Sequence, residues 1–437
     1  MIKKFYTHVI KDSLYVNSLF LMASTFVTAG LGFIFWIVIA RFFSTESVGI
    51  STTLISVMTF ISGLSCLGFD TGIVRYLSKS KNKNALISST FIITGITTLL
   101  VSLIFLVGIH IFSPKLLFLR DNFIVILSFL LFMLFATWNI ILENIFVSHR
   151  ATVNIFIMNS VLSVLKLLFP LVLVVFGPYG IFSSVALATL FSVILGGLIL
   201  HKKFTFRPSI TIDSSTVGKM ARFSGGSYIS LLILQIPSFL IPIIILNFLK
   251  ADFVAYYYID TMLLNFLLII PFATTQMLLS EGSYNEVMLK NHIKKTFYII
   301  SAFLVPGIFS ILLFGNFVLY IFGKNYASEA FSFLQIISIS SIFISLTLLC
   351  GAILRVKHKI KELIFANLIG TIITLTLCYF LIPYKLVGIG WGILIGDIVA
   401  SGLYLLFTFE ELKGLFDGNR LLFDNFVNKH AKRIIPS

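Results

Sequence analysis

The chain has 437 residues, of which 58% are hydrophobic and only 11% charged, whereas a soluble domain is about 45–50% apolar and about 25% charged. This much apolar surface excludes a water-soluble enzyme, and it excludes a disordered chain too, because disorder requires low hydrophobicity. The formal net charge of +15 therefore indicates basic loops at a membrane surface rather than a nucleic-acid partner.

A polytopic membrane protein remains, since a spanning helix takes about 20 apolar residues. The apolar runs predict twelve spans in chain order. Both ends of the chain carry amphipathic patterns, which indicate either helices lying flat at the cytoplasmic interface or loosely attached termini. The predicted spans are 17–40, 48–70, 85–112, 122–147, 152–176, 179–200, 223–248, 253–278, 295–315, 328–353, 362–382 and 386–408.

The basic residues set the predicted orientation. Of the 32 Lys and Arg residues, 25 fall in one alternating set of segments and six in the other, while Lys166 lies inside a span. Because basic loops stay in the cytoplasm, both termini are predicted to be cytoplasmic. The expected location is the cell membrane, meaning the inner or cytoplasmic membrane.

An internal repeat divides the predicted spans. At an offset of 208 residues, Asn159 aligns with Asn367 and Gly180 with Gly388, and the start of the chain matches the seventh and eighth spans near offset 206. Six spans per half make the halves parallel, so the predicted fold is all-α, with about twelve transmembrane helices in two parallel six-helix repeats around a central cavity. The predicted parts are an N-terminal half (1–200), a cytoplasmic linker (201–222), a C-terminal half (223–409) and a cytoplasmic amphipathic tail (410–437).

Lys166 is the clearest functional candidate, because a charge near mid-bilayer should face a cavity or a partner. It shares one helical stripe with Asn159 and Ser163. One interpretation is a cation lining a cavity for an anionic substrate. The alternative is a structural ion pair with Glu143 or Asp397.

Polar residues also follow the first, second, seventh and eighth spans, among them Gln235 and Asn265. Together they suggest the walls of a hydrated cavity, although a single polar residue is more often packing between helices. Arg41, Arg75 and Arg222 lie at the ends of such spans. Each could hold a phosphate by two hydrogen bonds, or could be an ordinary interface anchor.

Three carboxylates within the predicted spans are candidates for ion coupling. Asp260, Asp397 and Glu143 could couple transport to Na⁺ or H⁺, with structural pairing as the alternative. The span around Asp397 has a glycine at every fourth position, which permits close helix packing; these are Gly388, Gly392 and Gly396.

Sequence signatures of catalysis are absent. The chain has no P-loop, no HExxH and no Gly-x-Ser-x-Gly motif. Its three cysteines and seven histidines are too dispersed to predict a metal site. No cofactor is expected apart from a coupling ion.

Two short segments carry a family resemblance. Ala-Arg-Phe-Phe-Ser-Thr-Glu-Ser-Val-Gly at 40–49 and Leu-Gly-Phe-Asp-Thr-Gly-Ile-Val-Arg-Tyr-Leu at 67–77 resemble the first outer turn and the end of the second span in polysaccharide-type flippases of the MOP (MATE-like) superfamily. The resemblance implies that a polyprenyl-diphosphate oligosaccharide is flipped to the outer leaflet for cell-surface polysaccharide such as O-antigen. It also implies a cavity formed by the first, second, seventh and eighth spans; of the candidate cations, Arg41 and Arg75 lie in matching motifs.

The expected partners follow from this resemblance: a lipid-linked oligosaccharide, membrane lipids and polysaccharide assembly proteins. Two other functions stay open. A cation-coupled multidrug antiporter would share the fold, and a polysaccharide polymerase or membrane glycosyltransferase is the enzyme alternative, although the short outer loops argue against it.

Overall fold

A computed structural model shows an all-helical chain. It describes residues 13–209, 214–284 and 289–431, and this part contains helices and turns but no strand. Twelve of the helices have 21 residues or more. They are α1 (Ser13–Phe42), α2 (Thr45–Ser65), α3 (Lys83–Val107), α4 (Phe123–Ser148), α5 (Thr152–Leu173), α6 (Gly177–Phe204), α7 (Ser214–Phe248), α8 (Ala251–Tyr284), α9 (Leu289–Phe322), α10 (Lys324–Val356), α11 (Ile360–Phe380) and α12 (Lys385–Ala431).

Eleven stretches of the described residues are long and apolar enough to cross a membrane. One of them, Thr152–Phe204, has 53 residues and contains both α5 and α6. At 1.5 Å per residue it would measure about 80 Å as one helix, more than twice the roughly 30 Å hydrocarbon core, so it provides two crossings. The prediction of an all-α polytopic membrane protein is confirmed.

The helix ends follow local sequence signals. Ser44 caps α2, because its side chain accepts a hydrogen bond from the backbone N–H of Ser47 at 3.2 Å, and Glu46 adds a negative charge to the first turn. At the other end of the chain, α12 runs without interruption for 47 residues. The predicted twelfth span and the tail thus form one helix as far as Ala431.

The repeat is visible in the two turns that precede α6 and α12. A short 3-10 turn, Val174–Phe176, leads into α6, and Ile382–Tyr384 leads into α12, 208 residues later. The next residue has a positive φ in both places, +55° at Gly177 and +53° at Lys385. Only glycine adopts such angles without strain, so Lys385 carries a backbone cost that Gly177 avoids.

Close packing at these turns repeats as well. A Cβ atom on Gly180 would lie 2.0 Å from the carbonyl oxygen of Leu173, and one on Gly388 would lie 2.0 Å from that of Leu381. Neither position can hold a larger residue without moving backbone. The 208-residue offset therefore relates two equivalent helix-turn-helix units, α5–α6 and α11–α12.

The chain forms two compact units. The first comprises Met1–Ile259 and Tyr320–Tyr326, and the second comprises Asp260–Leu319 and Ala327–Ser437. The first unit contains a core of buried apolar side chains around Ile141, Ile145 and Met158. The predicted division into halves at 201–222 stays a prediction that rests on the repeat.

Candidate functional site

The polar stripe of α5 faces α1. The side chain of Asn17 accepts hydrogen bonds from the backbone N–H of Thr152 at 3.1 Å and from its hydroxyl at 2.9 Å. Farther along, Asn159 Nδ2 donates to Ser24 Oγ at 3.1 Å. Both pairs are separated by 135 residues, so the two helices run parallel and in register along this contact.

Lys166 lies farther along the same contact. Its ammonium nitrogen is 4.6 Å from the centroid of the Phe35 ring, a distance at which a cation is attracted to an aromatic face. A Cβ on Gly32 would come within 4.0 Å of that nitrogen, so the glycine leaves room for it. Among the described residues, no hydrogen-bond acceptor or carboxylate lies within bonding distance of the ammonium group.

The two carboxylates considered as partners for Lys166 have other neighbours. Glu143 Oε1 accepts a hydrogen bond from Asn139 Nδ2 at 3.2 Å, and Asn159 donates a second bond to this carboxyl group. The hydroxyl of Ser340 donates to Asp397. Among the described residues, no ion pair joins Lys166 to Glu143.

Glu143 belongs to a polar network built by four helices. Asn139, which donates to it from α4, accepts a hydrogen bond from Ser192 of α6 at 2.9 Å. Asn159 of α5 connects the network to Ser24 of α1. Neutral amides and hydroxyls thus surround one carboxylate, an arrangement of oxygen and nitrogen atoms that can satisfy it without a counter-charge.

Asp260 is in the opposite situation. It is fully buried, and neither of its carboxylate oxygens has a hydrogen-bond partner among the described residues. A buried carboxylate in this position requires a proton or a bound cation, because an unpaired charge in an apolar environment is very costly.

Two of the predicted arginines, Arg41 and Arg75, lie at exposed positions. Arg41 donates from Nε to the carbonyl of Ile321 at 2.8 Å and from Nη2 to that of Tyr320 at 3.0 Å. Arg75 lies with its guanidinium carbon 5.9 Å from the ring centroid of Tyr76. The Arg222 side chain lies outside the described residues.

The remaining predicted cavity residues are exposed polar groups. Gln235 packs on α2, where a Cβ on Gly63 would lie 2.6 Å from its Oε1. Asn265 is exposed on α8.

Asp70 lies in the first turn of the short helix Phe69–Tyr76. Burial raises the pKa of its carboxyl group.

The structure brings Glu143 to Asn159, and Asn159 shares its stripe with Lys166. The sequence analysis missed Phe35 and Gly32. Their spacing of three residues places them on one face of α1, but no local signal in the sequence pairs that face with Lys166.

Comparisons with known proteins agree with this architecture. Residues 14–279 match a family described as polysaccharide biosynthesis protein. A comparison with curated proteins found no match.

Among solved structures, the chain resembles the lipid II flippase MurJ in an inward closed conformation, with a TM-score of 0.75 and 13% identity over 94% of this chain and 92% of that one. It also resembles a multidrug resistance MATE family transporter of the MOP superfamily in an inward-facing conformation, with a TM-score of 0.69 and 16% identity over 92% and 96%. A third is the MATE multidrug transporter DinF-BH, with a TM-score of 0.65 and 17% identity over 94% and 98%.

Proposed function

The chain belongs to the polysaccharide biosynthesis protein family, and from that premise we propose that it flips a polyprenyl-diphosphate oligosaccharide from the cytoplasmic to the outer leaflet by alternating access. Its family and its fold are those of multi-pass membrane flippases and transporters. The proposed setting is the cell membrane, with both termini in the cytoplasm and polysaccharide assembly proteins as partners.

The physical task explains why a protein is needed. A sugar headgroup cannot cross hydrocarbon unaided, because each hydroxyl would lose its hydrogen bonds to water. A hydrated groove lets the headgroup pass while the lipid tail stays in the bilayer. The diphosphate travels with the headgroup, so the groove must also compensate negative charge.

Lys166 is the observation that carries the proposal. It supplies a positive charge inside a spanning helix, held on the Phe35 ring without a carboxylate among the described residues. An intramembrane charge of this kind is expected to serve function. The diphosphate of the proposed substrate would be the counter-ion of Lys166.

The test is flipping of a fluorescent lipid-diphosphate oligosaccharide in proteoliposomes. Lys166→Ala should slow flipping roughly tenfold or more, because a charge-assisted contact contributes about 1.5–3 kcal/mol. Lys166→Arg should retain part of the rate. Arg120→Ala, which removes a cation from an exposed position, is the matched control and should flip normally.

Gradient coupling is a further part of the proposal. The buried Asp260, the Glu143 network and Asp397 are its candidate sites for H⁺ or Na⁺. The same vesicles with an imposed H⁺ or Na⁺ gradient should flip faster than vesicles without one. A flipping rate that is independent of both gradients would indicate passive transport.

Other results would change the assignment. If the parent protein flips no headgroup but expels a cationic dye along a gradient, it is a multidrug antiporter. Formation of a new glycan from a labelled sugar donor would identify a polymerase or glycosyltransferase.

A further inference from the structure

Arg41, at the end of α1, forms hydrogen bonds to the turn between α9 and α10. Its two hydrogen bonds go to the carbonyls of Tyr320 and Ile321 in the last turn of α9, where backbone carbonyls generally need donor partners from outside the helix. Next to them, the Phe322 ring packs edge-on against Phe33 of α1, with centroids 5.4 Å apart. We refer to these contacts of Arg41 as the first clasp.

Asn247 makes an equivalent contact at the end of α7. Its Nδ2 donates to the carbonyl of Phe112 at 2.7 Å, and its Oδ1 accepts from the hydroxyl of Ser113 at 3.1 Å. Nearby, Lys115 donates to the carbonyl of Leu249 at 2.9 Å. These contacts, the second clasp, fasten the end of α7 to the turn between α3 and α4.

The two clasps are related by the internal repeat. Arg41 and Asn247 are 206 residues apart, and Phe112 and Tyr320 are 208 apart, the same offsets that relate the two predicted halves. In each clasp the first helix of one half holds the turn between the third and fourth helices of the other half. A chance surface contact would not recur in this reciprocal form.

We propose that the two clasps are the outer gate of this transporter, closed in the present structure. The Lys and Arg distribution predicts that both lie on the external side. Opening would require each polar end residue to release the turn that it holds. This role goes beyond the proposed substrate, because any cargo released outward must pass an open gate.

The course of the chain fits a movable part. Residues Tyr320–Tyr326 belong to the first compact unit, whereas the chain on either side belongs to the second. Gly323 separates α9 from α10 with φ at +154°, a backbone angle that other residues rarely adopt. Release of this short segment is therefore a local change that a glycine can accommodate.

The closed gate is not held strongly. Its contacts are a few hydrogen bonds at exposed helix ends, which water can replace. The hydroxyl of Tyr326 is buried without a hydrogen-bond partner among the described residues, while its ring packs on Tyr256 at 5.2 Å. Opening would hydrate this hydroxyl, which lowers the cost of leaving the closed state.

Cysteine labelling tests the gate without any knowledge of the substrate. Ala255 is fully buried on α8, one turn beyond Ala251, whose carbonyl would lie 1.8 Å from a Cβ on Gly49 of α2. Ala255→Cys, in a protein with its three native cysteines replaced by alanine, reports opening at this end. The probe is a membrane-impermeant maleimide added from outside.

Arg41→Ala and Asn247→Ala should each raise the labelling rate roughly tenfold, equivalent to about 1.4 kcal/mol in the opening equilibrium. Arg41→Lys, which keeps the charge but loses the paired geometry, should give an intermediate rate. Arg120→Ala removes an exposed cation from the same predicted side and should leave labelling unchanged.

Melting temperatures of the purified variants keep the result interpretable. Only variants that melt within about 1 °C of the parent are compared, since in a chain of this length about 1 kcal/mol corresponds to roughly 1 °C. The gate is refuted if Arg41→Lys and Asn247→Ala both label at the parent rate, if Arg120→Ala accelerates labelling equally, or if the probe reacts only from the cytoplasmic side.

Discussion

Lys166 shows how one residue can carry a charge inside a membrane helix. The Phe35 ring attracts the ammonium group but does not neutralise it, and Gly32 leaves space beside it. An ion pair with a carboxylate would have cancelled the charge that an anionic cargo needs. Under the proposed function, Phe35 is a positioning residue, which would act on the cargo through Lys166.

Phe35→Leu should slow flipping about twofold to fivefold, less than Lys166→Ala, because an aromatic face contributes about 0.5–1 kcal/mol to holding a cation. The substitution keeps an apolar side chain in the core. Phe20→Leu removes a ring that packs on Phe156 at 5.9 Å in the same contact between α1 and α5, and serves as the control.

Flipping rates and melting temperatures are measured for both variants. Equal losses of flipping in Phe35→Leu and Phe20→Leu, in step with their melting temperatures, would show that Phe35 contributes to packing alone.

At the scale of helices, glycines set how closely α11 and α12 approach. A Cβ on Gly396 would lie 1.9 Å from Thr374 Oγ1, and one on Gly392 would lie 2.8 Å from the backbone nitrogen of Cys378. The sequence predicted close packing along this glycine ladder, and the structure confirms it. The partner helix is α11, which is the neighbour of α12 in the chain.

Gly396→Ala should destabilise the protein by about 1–3 kcal/mol, because the added methyl group must displace Thr374 and its backbone. Gly402→Ala is the matched control in the same helix, since a Cβ there meets nothing within 4 Å. It should be neutral or slightly stabilising, as alanine favours helix. Thermal unfolding in detergent separates the two, and equal melting temperatures would contradict the close contact.

At the scale of the whole molecule, the repeat and the charge distribution define two different ends. Equivalent turns precede α6 and α12, and equivalent clasps bind at the ends of α1 and α7. The basic loops lie at the opposite predicted end, where anionic lipid headgroups are expected to face them. The predicted orientation therefore assigns the proposed gate to one end and contact with the membrane surface to the other.

This orientation predicts the outcome of labelling in intact cells. A cysteine placed at exposed Arg120 should react with an external impermeant maleimide, whereas one at exposed Lys81 should react only after the cells are opened. Both test residues are outside the long helices. The reverse pattern would invert the membrane orientation and with it the proposed direction of export.

The sequence by itself determined the class of the protein, the twelve long helices of its described part and the 208-residue repeat, because hydrophobic length and glycine spacing are local or periodic properties. Only the tertiary structure decided which neighbours each polar residue has. Lys166 turned out to lie on an aromatic ring rather than beside Glu143, and Arg41 bonds to the carbonyls of a turn 280 residues away. Such contacts depend on the register in which helices far apart in the chain pack together, and no local pattern in the sequence specifies that register.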